Sequence, residues 1–147
     1  MCREWLQEEP CFHVVPYANI VWALEKLKHS GVRIAVFSNK QHISAISVVE
    51  TIFGKGFFDY IQGQTDRISI KPDPTGVLEI LDRFGASKEE CLYFGDTNTD
   101  MMTGRNAGVT TVGVTWGFRP RSELEQYGAD IIIDSAEEIP ELVKSRV

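Results

Sequence analysis

The sequence predicts an α/β fold in which a doubly wound parallel sheet carries helices on both of its faces. Short apolar runs recur along the chain without alternating polar residues, and segments with helical spacing of apolar residues separate them. Strands that are buried on both faces give such continuous runs, and their alternation with helices is typical of three-layer α/β/α domains. With 147 residues, the chain has the length of a single domain with its own core.

The first half of the chain contains one predicted strand-helix-strand unit after an opening helix. The opening helix is indicated by Ile20, Ala23, Leu24 and Leu27, and it stops at Ser30-Gly31. The next run, RIAVF, reads as a buried strand over residues 33–37. A second amphipathic helix follows up to Phe53, and a short strand is predicted near residues 60–62.

The second half repeats the alternation of helices and strands. Asp73-Pro74 is typical of a helix start, and the apolar stripe that follows ends at Gly85. Ser87 and Glu90 have the spacing of a capping box. Further strands are predicted at residues 91–94, 111–114 and 131–133, helices at about 99–107 and 122–127, and a turn with a short helix around Pro140.

Composition indicates which partners and which cellular setting to expect. The formal net charge is −6, and the basic residues are scattered, so we expect no nucleic-acid surface. No apolar run approaches the ~20 residues of a membrane helix, and we expect no membrane association. The three cysteines form no C-x-x-C pair, which favours a reducing, cytoplasmic setting.

Polar residues follow several of the predicted strands, at the edge where an open parallel sheet binds ligands. Asp96 follows the 91–94 strand, and Asp100 lies four residues further on, in the first turn of a helix. Two carboxylates at this spacing can face one cation, and oxygen ligands suit Mg²⁺. The alternative is purely structural, with Asp96 or Thr97 capping the helix and Asp100 complementing its dipole.

Two further positions could bind a phosphoryl group. Ser38 follows the RIAVF strand and could donate its hydroxyl to a phosphoryl oxygen, although a helix N-cap is the plainer role for it. Lys71 lies in IKPDP, where two prolines stiffen the backbone, although most lysines are simply solvated. The sequence contains no Walker A, G-x-G-x-x-G or zinc-binding pattern.

Taken together and in this order, Ser38 in VFSNK, Lys71 in IKPDP and the segment FGDTNTDMMTGRNAG resemble three sequence motifs of the haloacid dehalogenase superfamily. The segment GVTWGFRPRSELEQYGADIIIDSAEEIPEL resembles the C-terminal part of phosphoglycolate phosphatases. The likeness covers roughly residues 16–147. It implies a Rossmann-like core that hydrolyses phosphate monoesters through an aspartyl-phosphate intermediate.

The resemblance also implies a role for each matching residue. Ser38, Asn39 and Lys71 would bind the phosphate of a small phosphorylated substrate, with Ser38 and Lys71 taking part in catalysis. Asp96 would bind Mg²⁺ directly, and Asp100 would bind it directly or through water. The first substrate to expect is 2-phosphoglycolate.

The sequence departs from the superfamily in its first motif, an Asp-x-Asp that supplies the nucleophile and the general acid. The eight aspartates stand at positions 59, 66, 73, 82, 96, 100, 130 and 134, and no two are two residues apart. We therefore expect a truncated or split phosphatase that is inactive by itself. Residues 1–15 would be the remnant of a helical cap, and residues 16–147 a partial core domain.

By the family's topology, the missing segment includes the first, central strand of the sheet, between the 33–37 and 91–94 strands. Its loss would leave both neighbours with unpaired backbone groups. Three outcomes are expected: the two strands pair directly, another chain inserts a strand, or the chain is poorly stable alone. The partner would be a second chain that supplies the strand, or another copy in a homodimer.

Two other functional classes remain open. A non-catalytic phosphate-binding or protein-interaction module derived from the same core would need no nucleophile. A receiver-like signalling domain also places an aspartate, a hydroxyl and a lysine around Mg²⁺, but in that order along the chain. Here the order is Ser38, Lys71, Asp96, which disfavours a receiver.

Overall fold

The computed structural model describes residues 2–3, 19–117 and 119–145. These residues form the predicted α/β fold, with a six-stranded sheet in which every pairing between neighbouring strands is parallel. The strands are β1 (Cys2–Arg3), β2 (Ala35–Gln41), β3 (Tyr60–Gln64), β4 (Leu92–Gly95), β5 (Thr110–Val114) and β6 (Ile131–Ile133). The helices are α1 (Ile20–His29), α2 (His42–Phe53), α3 (Thr75–Phe84), α4 (Asn98–Ala107), α5 (Arg121–Gln126) and α6 (Ile139–Lys144).

The order of the strands is β3-β2-β1-β4-β5-β6, and the core lies on both faces of this sheet. On one face, Val36 and Phe94 belong to a cluster that includes side chains of α1 and α6. On the other face, Phe37 and Tyr93 belong to a cluster that includes side chains of α3. Successive residues of β2 and β4 thus enter opposite cores, which explains why these strands read as continuous apolar runs.

At the centre of the sheet, β2 and β4 do not pair directly, so the first of the three expected outcomes is wrong and the other two stay predictions. Cys2–Arg3 lies between β2 and β4 and runs parallel to both, with Cys2 opposite Ala35 and Tyr93, and Arg3 opposite Phe94. Two residues near the start of this chain therefore lie between β2 and β4, where the sequence analysis expected a missing strand. A strand at this place pairs with the backbone groups of both neighbours. The prediction of a cap remnant at residues 1–15 falls mainly on residues outside the described part, and it stays a prediction.

Strand β2 is longer than predicted, and this affects the candidate site. It continues through residues 38–41, with a shift of register between Phe37 and Gln41 where it pairs with β3. Ser38 and Asn39 therefore lie within the strand and not in a loop after it. The polar residues in this stretch concealed the strand, because strand prediction rested on the apolar run alone.

The predicted helix boundaries agree with the structure to within a few residues. Helix α3 begins one residue later than expected, with Pro74 as its N-cap. The side chain of Asp73 accepts hydrogen bonds from the Thr75 hydroxyl and backbone N–H, and these hold the pKa of Asp73 below its usual value. The capping box between Ser87 and Glu90 is confirmed, and its hydrogen bonds lower the pKa of Glu90. Within the described ranges, none of the helices is long and apolar enough to cross a membrane.

Close packing of α4 on β5 depends on Gly104. A Cβ atom at this position would lie 2.1 Å from the Thr111 hydroxyl oxygen and 3.0 Å from the Thr111 Cβ. Thr111 is fully buried and β-branched, so it has little freedom to move away.

We therefore predict that Gly104→Ala lowers the free energy of unfolding by about 1–3 kcal/mol, although alanine is the better helix former. Urea denaturation followed by circular dichroism measures the change. Ser44→Ala, at an exposed position of α2, is the control and should change stability by less than about 0.5 kcal/mol. Equal stability of the two variants would show that α4 can shift away from β5 at little cost.

Candidate active site

All five predicted site residues belong to segments that meet at the carboxyl edge of the sheet, and Asn39 lies in β2. Ser38 lies in the extension of β2, and Lys71 lies in the loop after β3. Asp96 directly follows β4, and Asp100 lies in the first turn of α4. Parallel strands bring these segments together although they are up to 62 positions apart in the sequence.

The central contact of the site is a buried ion pair. The Lys71 Nζ lies 2.9 Å from Asp100 Oδ1, and the two side chains are each only 5% exposed. The ammonium also lies 5.9 Å from the centroid of the Phe37 ring, at the outer limit of a cation–π contact. Burial of two charges is costly unless they are close and hydrogen-bonded, so this geometry fixes both side chains.

Asp100 is surrounded by donors. The backbone N–H of Asp96 donates to its Oδ2 at 3.1 Å, and the Tyr93 hydroxyl lies 3.5 Å from its Oδ1. The Asp100 backbone N–H donates to the Thr97 hydroxyl, which makes Thr97 the N-cap of α4, as the structural alternative proposed for it. Since both carboxylate oxygens have partners within the protein, the geometry favours Asp100 as the counter-ion of Lys71.

The backbone of Lys71 is held separately from its ammonium. The Lys71 N–H donates to Asn39 Oδ1 at 2.7 Å. A turn closes around it, with the Asp73 N–H donating to the Ile70 carbonyl at 3.1 Å, and the Lys71-Pro72 peptide bond is cis. The side-chain oxygen of Asn39 thus binds the lysine loop, and the predicted contact of Asn39 with phosphate stays a prediction.

Ser38 is 3% exposed, and its hydroxyl oxygen accepts a hydrogen bond from the Lys40 N–H at 3.1 Å. It is not the N-cap of α2, because that helix begins at His42 with Gln41 as its N-cap. The prediction that Ser38 is a helix N-cap is therefore wrong. Its predicted contact with a phosphoryl oxygen stays a prediction.

Asp96 is the more open of the two carboxylates. It is partly exposed, and a Cβ atom at Gly117 would lie 2.3 Å from its Oδ2, so the backbone after β5 passes directly beside it. Among the described residues, no group of three or more His, Cys, Asp or Glu side chains could hold a metal ion. Mg²⁺ needs only one or two protein carboxylates besides water and substrate phosphate, so the oxygen donors here fit such an ion.

Sequence reasoning missed three residues of this region. Tyr93 was assigned to a buried strand, and its hydroxyl, which needs a partner when buried, was the available signal. Gly117 packs against Asp96 in a segment without any predicted element. The Asn106 side chain donates to the Pro72 carbonyl at 3.0 Å, a contact between distant segments that no local pattern reveals.

Comparison with known proteins matches residues 1–114 to a family described as haloacid dehalogenase-like hydrolase. A phosphoglycolate phosphatase of Aquifex aeolicus is 35% identical over 79% of this chain and 54% of its own length. The pyrophosphatase PpaX of Halalkalibacterium halodurans is 28% identical over 88% of this chain and 60% of its own length. The chain thus spans about half to three fifths of these relatives.

A solved structure gives the same likeness in three dimensions. The crystal structure of a proposed phosphoglycolate phosphatase from Lactobacillus delbrueckii subsp. bulgaricus superimposes with a TM-score of 0.84 and 34% sequence identity. The superposition covers 89% of this chain and 54% of that protein. The fold of the described residues is therefore that of a haloacid dehalogenase-like core.

The burial of the Lys71–Asp100 pair leads to a test by stability. We predict that Lys71→Met and Asp100→Asn each lower the free energy of unfolding by about 3–5 kcal/mol, because each leaves one buried charge without its counter-ion. The double variant should cost clearly less than the sum of the two single variants. Urea denaturation of all four proteins gives the coupling energy.

The matched control is the exposed pair of Glu79 and Arg83, whose N–O distance is also 2.9 Å. Arg83→Met should cost no more than about 1 kcal/mol, because solvent screens that pair and, among the described residues, the only other contact at stake is that of the guanidinium with the Tyr60 ring at 4.6 Å. If Lys71→Met were as mild as Arg83→Met, the ammonium of Lys71 would have to be hydrated, and the buried pair would be refuted.

Proposed function

Because the chain belongs to the haloacid dehalogenase-like hydrolase family, we propose that it forms the phosphate-binding and magnesium-binding part of a phosphatase for small phosphorylated metabolites. The observation that carries this proposal is the buried Lys71 ammonium, fixed 2.9 Å from Asp100 at the sheet edge that also bears Ser38 and Asp96. An ammonium held in partly dry surroundings attracts a phosphoryl dianion more strongly than one in water does.

Each residue has a part in this proposal. The Ser38 hydroxyl donates to a phosphoryl oxygen, and the Lys71 ammonium binds another and offsets its charge. Asp96, the more exposed of the two carboxylates, would hold Mg²⁺, and the bound ion would neutralise substrate charge and orient the phosphorus. Asp100 holds the Lys71 ammonium in position through the ion pair.

Hydrolysis in this family type requires a carboxylate that attacks phosphorus while the alcohol leaves, followed by water that releases phosphate from the acyl phosphate. No two aspartates of the sequence stand two residues apart. We therefore propose that the attacking group comes from a segment other than these 147 residues, and that this segment can be supplied as a second chain. Among the described residues, Cys2–Arg3 lies between β2 and β4, and we propose that an incoming strand takes this place.

The relatives guide the choice of substrate. Phosphoglycolate phosphatase and pyrophosphatase are the names that accompany them. Both names denote small substrates in which a second anionic group lies next to the reacting phosphate. We propose 2-phosphoglycolate as the first substrate to test and pyrophosphate as the second.

The lack of an Asp-x-Asp motif in these 147 residues favours a second candidate function, a module that binds phosphate and does not hydrolyse phosphate esters. Such a module keeps Ser38, Lys71 and Asp96 for binding and needs no partner chain. The two candidates differ only in whether a supplied Asp-x-Asp segment produces turnover.

We predict that the purified chain with Mg²⁺ binds inorganic phosphate but does not hydrolyse 2-phosphoglycolate or pyrophosphate. Phosphorus NMR measures both binding and turnover in one sample. Ser38→Ala and Asp96→Asn should each weaken phosphate binding about 10-fold or more, because each removes a strong contact to the anion or its cation. Ser47→Ala and Asp82→Asn, on exposed surfaces of α2 and α3, are the matched controls.

Addition of a separate peptide or domain that carries the Asp-x-Asp strand then discriminates the candidates. Turnover that appears only in the mixture supports the split phosphatase, and binding without turnover supports the module. Rapid hydrolysis by the chain alone, or no phosphate binding under any condition, would overturn the proposal.

A further inference from the structure

The loop that carries Lys71 is held from two sides by asparagine side chains. Asn39 Oδ1 accepts a hydrogen bond from the Lys71 N–H at 2.7 Å, and Asn106 Nδ2 donates to the Pro72 carbonyl at 3.0 Å. Asn39 belongs to β2 and Asn106 to α4, two elements that are anchored on the sheet. We refer to Asn39 and Asn106 with these two hydrogen bonds as the amide clamp.

The clamp binds backbone N–H and carbonyl groups that the hydrogen bond of the turn does not use. The turn bond joins the Asp73 N–H to the Ile70 carbonyl and spans Lys71 and Pro72. Proline has no N–H, so the two central residues offer one donor and two acceptors outside this bond. The clamp binds the one donor, the Lys71 N–H, and one of the acceptors, the Pro72 carbonyl.

A lysine side chain is flexible, so its ammonium keeps one position only if other groups restrain it. Its four-carbon stem loses considerable rotamer freedom when the ammonium is held in one place, and loops add backbone motion to that. Here the ammonium is held by Asp100, and the backbone of the same residue is held by the clamp. Helix α4 contributes to both ends, because it carries Asp100 and Asn106.

We propose that Asn39 and Asn106 are positioning residues that act through Lys71. They fix the loop so that the ammonium stays aligned with Asp100 before any substrate arrives. The consequence for phosphate affinity rests on the function proposed above, whereas the effect on Lys71 itself does not. This assigns Asn39 a role different from the direct phosphate ligand that the sequence predicted.

The test is the rate at which an amine-acylating reagent labels each lysine of the full chain, followed by mass spectrometry. Acylation of a buried amine requires local opening, so its rate reports how often the loop opens. Asn39→Ala and Asn106→Ala should each speed labelling of Lys71 about 2- to 10-fold, the factor that one lost hydrogen bond provides. Labelling of Lys28, which packs on the Phe57 ring, should not change.

Asn39→Asp retains an accepting oxygen and should keep labelling of Lys71 at or below the wild-type rate. Gln126→Ala, an exposed amide at the end of α5, is the control for amide removal as such. Unchanged labelling of Lys71 in both alanine variants would overturn the clamp. Equal acceleration at Lys71 and Lys28 would overturn it as well, because it would show general loosening.

A parallel measurement separates this inference from the proposed function. Saturating inorganic phosphate with Mg²⁺ should slow labelling of Lys71 in the wild-type chain if the site binds phosphate. Protection without any effect of the asparagine variants would refute the clamp and leave the proposed function standing. An effect of the variants without protection would uphold the clamp and count against phosphate binding.

Discussion

The buried ion pair between Lys71 and Asp100 is the interaction on which the geometry of the carboxyl edge depends. Each charge loses hydration that is worth several kcal/mol, and only close, hydrogen-bonded contact restores it. Asp100 receives this contact from the lysine on one oxygen and from the Asp96 N–H on the other. The end of β4, the first turn of α4 and the loop after β3 must therefore keep their relative positions, and a shift of any one would expose an unpaired charge to the core.

The centre of the sheet sets a second constraint. Strands β2 and β4 both require a neighbour, and Cys2–Arg3 meets this need with a strand of two residues. A longer central strand is what the family's topology implies at this place. Among the contacts of the described residues, the ion pair joins Lys71 to Asp100, and the Asp96 N–H joins the end of β4 to the same carboxylate.

Much of the fold followed from the sequence, and so did the meeting of the candidate segments at one edge, because parallel strands end at a common edge and residues after them converge. That rule identified Ser38, Lys71, Asp96 and Asp100 before any coordinates. It could not divide the roles of Asp96 and Asp100, since spacing along a helix does not say which carboxylate faces a lysine from another loop. The strand at Cys2–Arg3 could not be predicted either, because two residues carry no periodicity and only their pairing with β2 and β4 makes them a strand.

The convergence of these residues on one anion and one cation is tested most directly by crystals of the full chain soaked with tungstate, a phosphate mimic, and Mn²⁺. Anomalous scattering locates both ions without reference to activity. The expected result is tungstate within hydrogen-bond distance of Lys71 Nζ and the Ser38 hydroxyl, with Mn²⁺ bound to a carboxylate oxygen of Asp96. Tungstate bound elsewhere, with the carboxyl edge empty at saturating concentration, would contradict the assignment of this edge as a phosphate site.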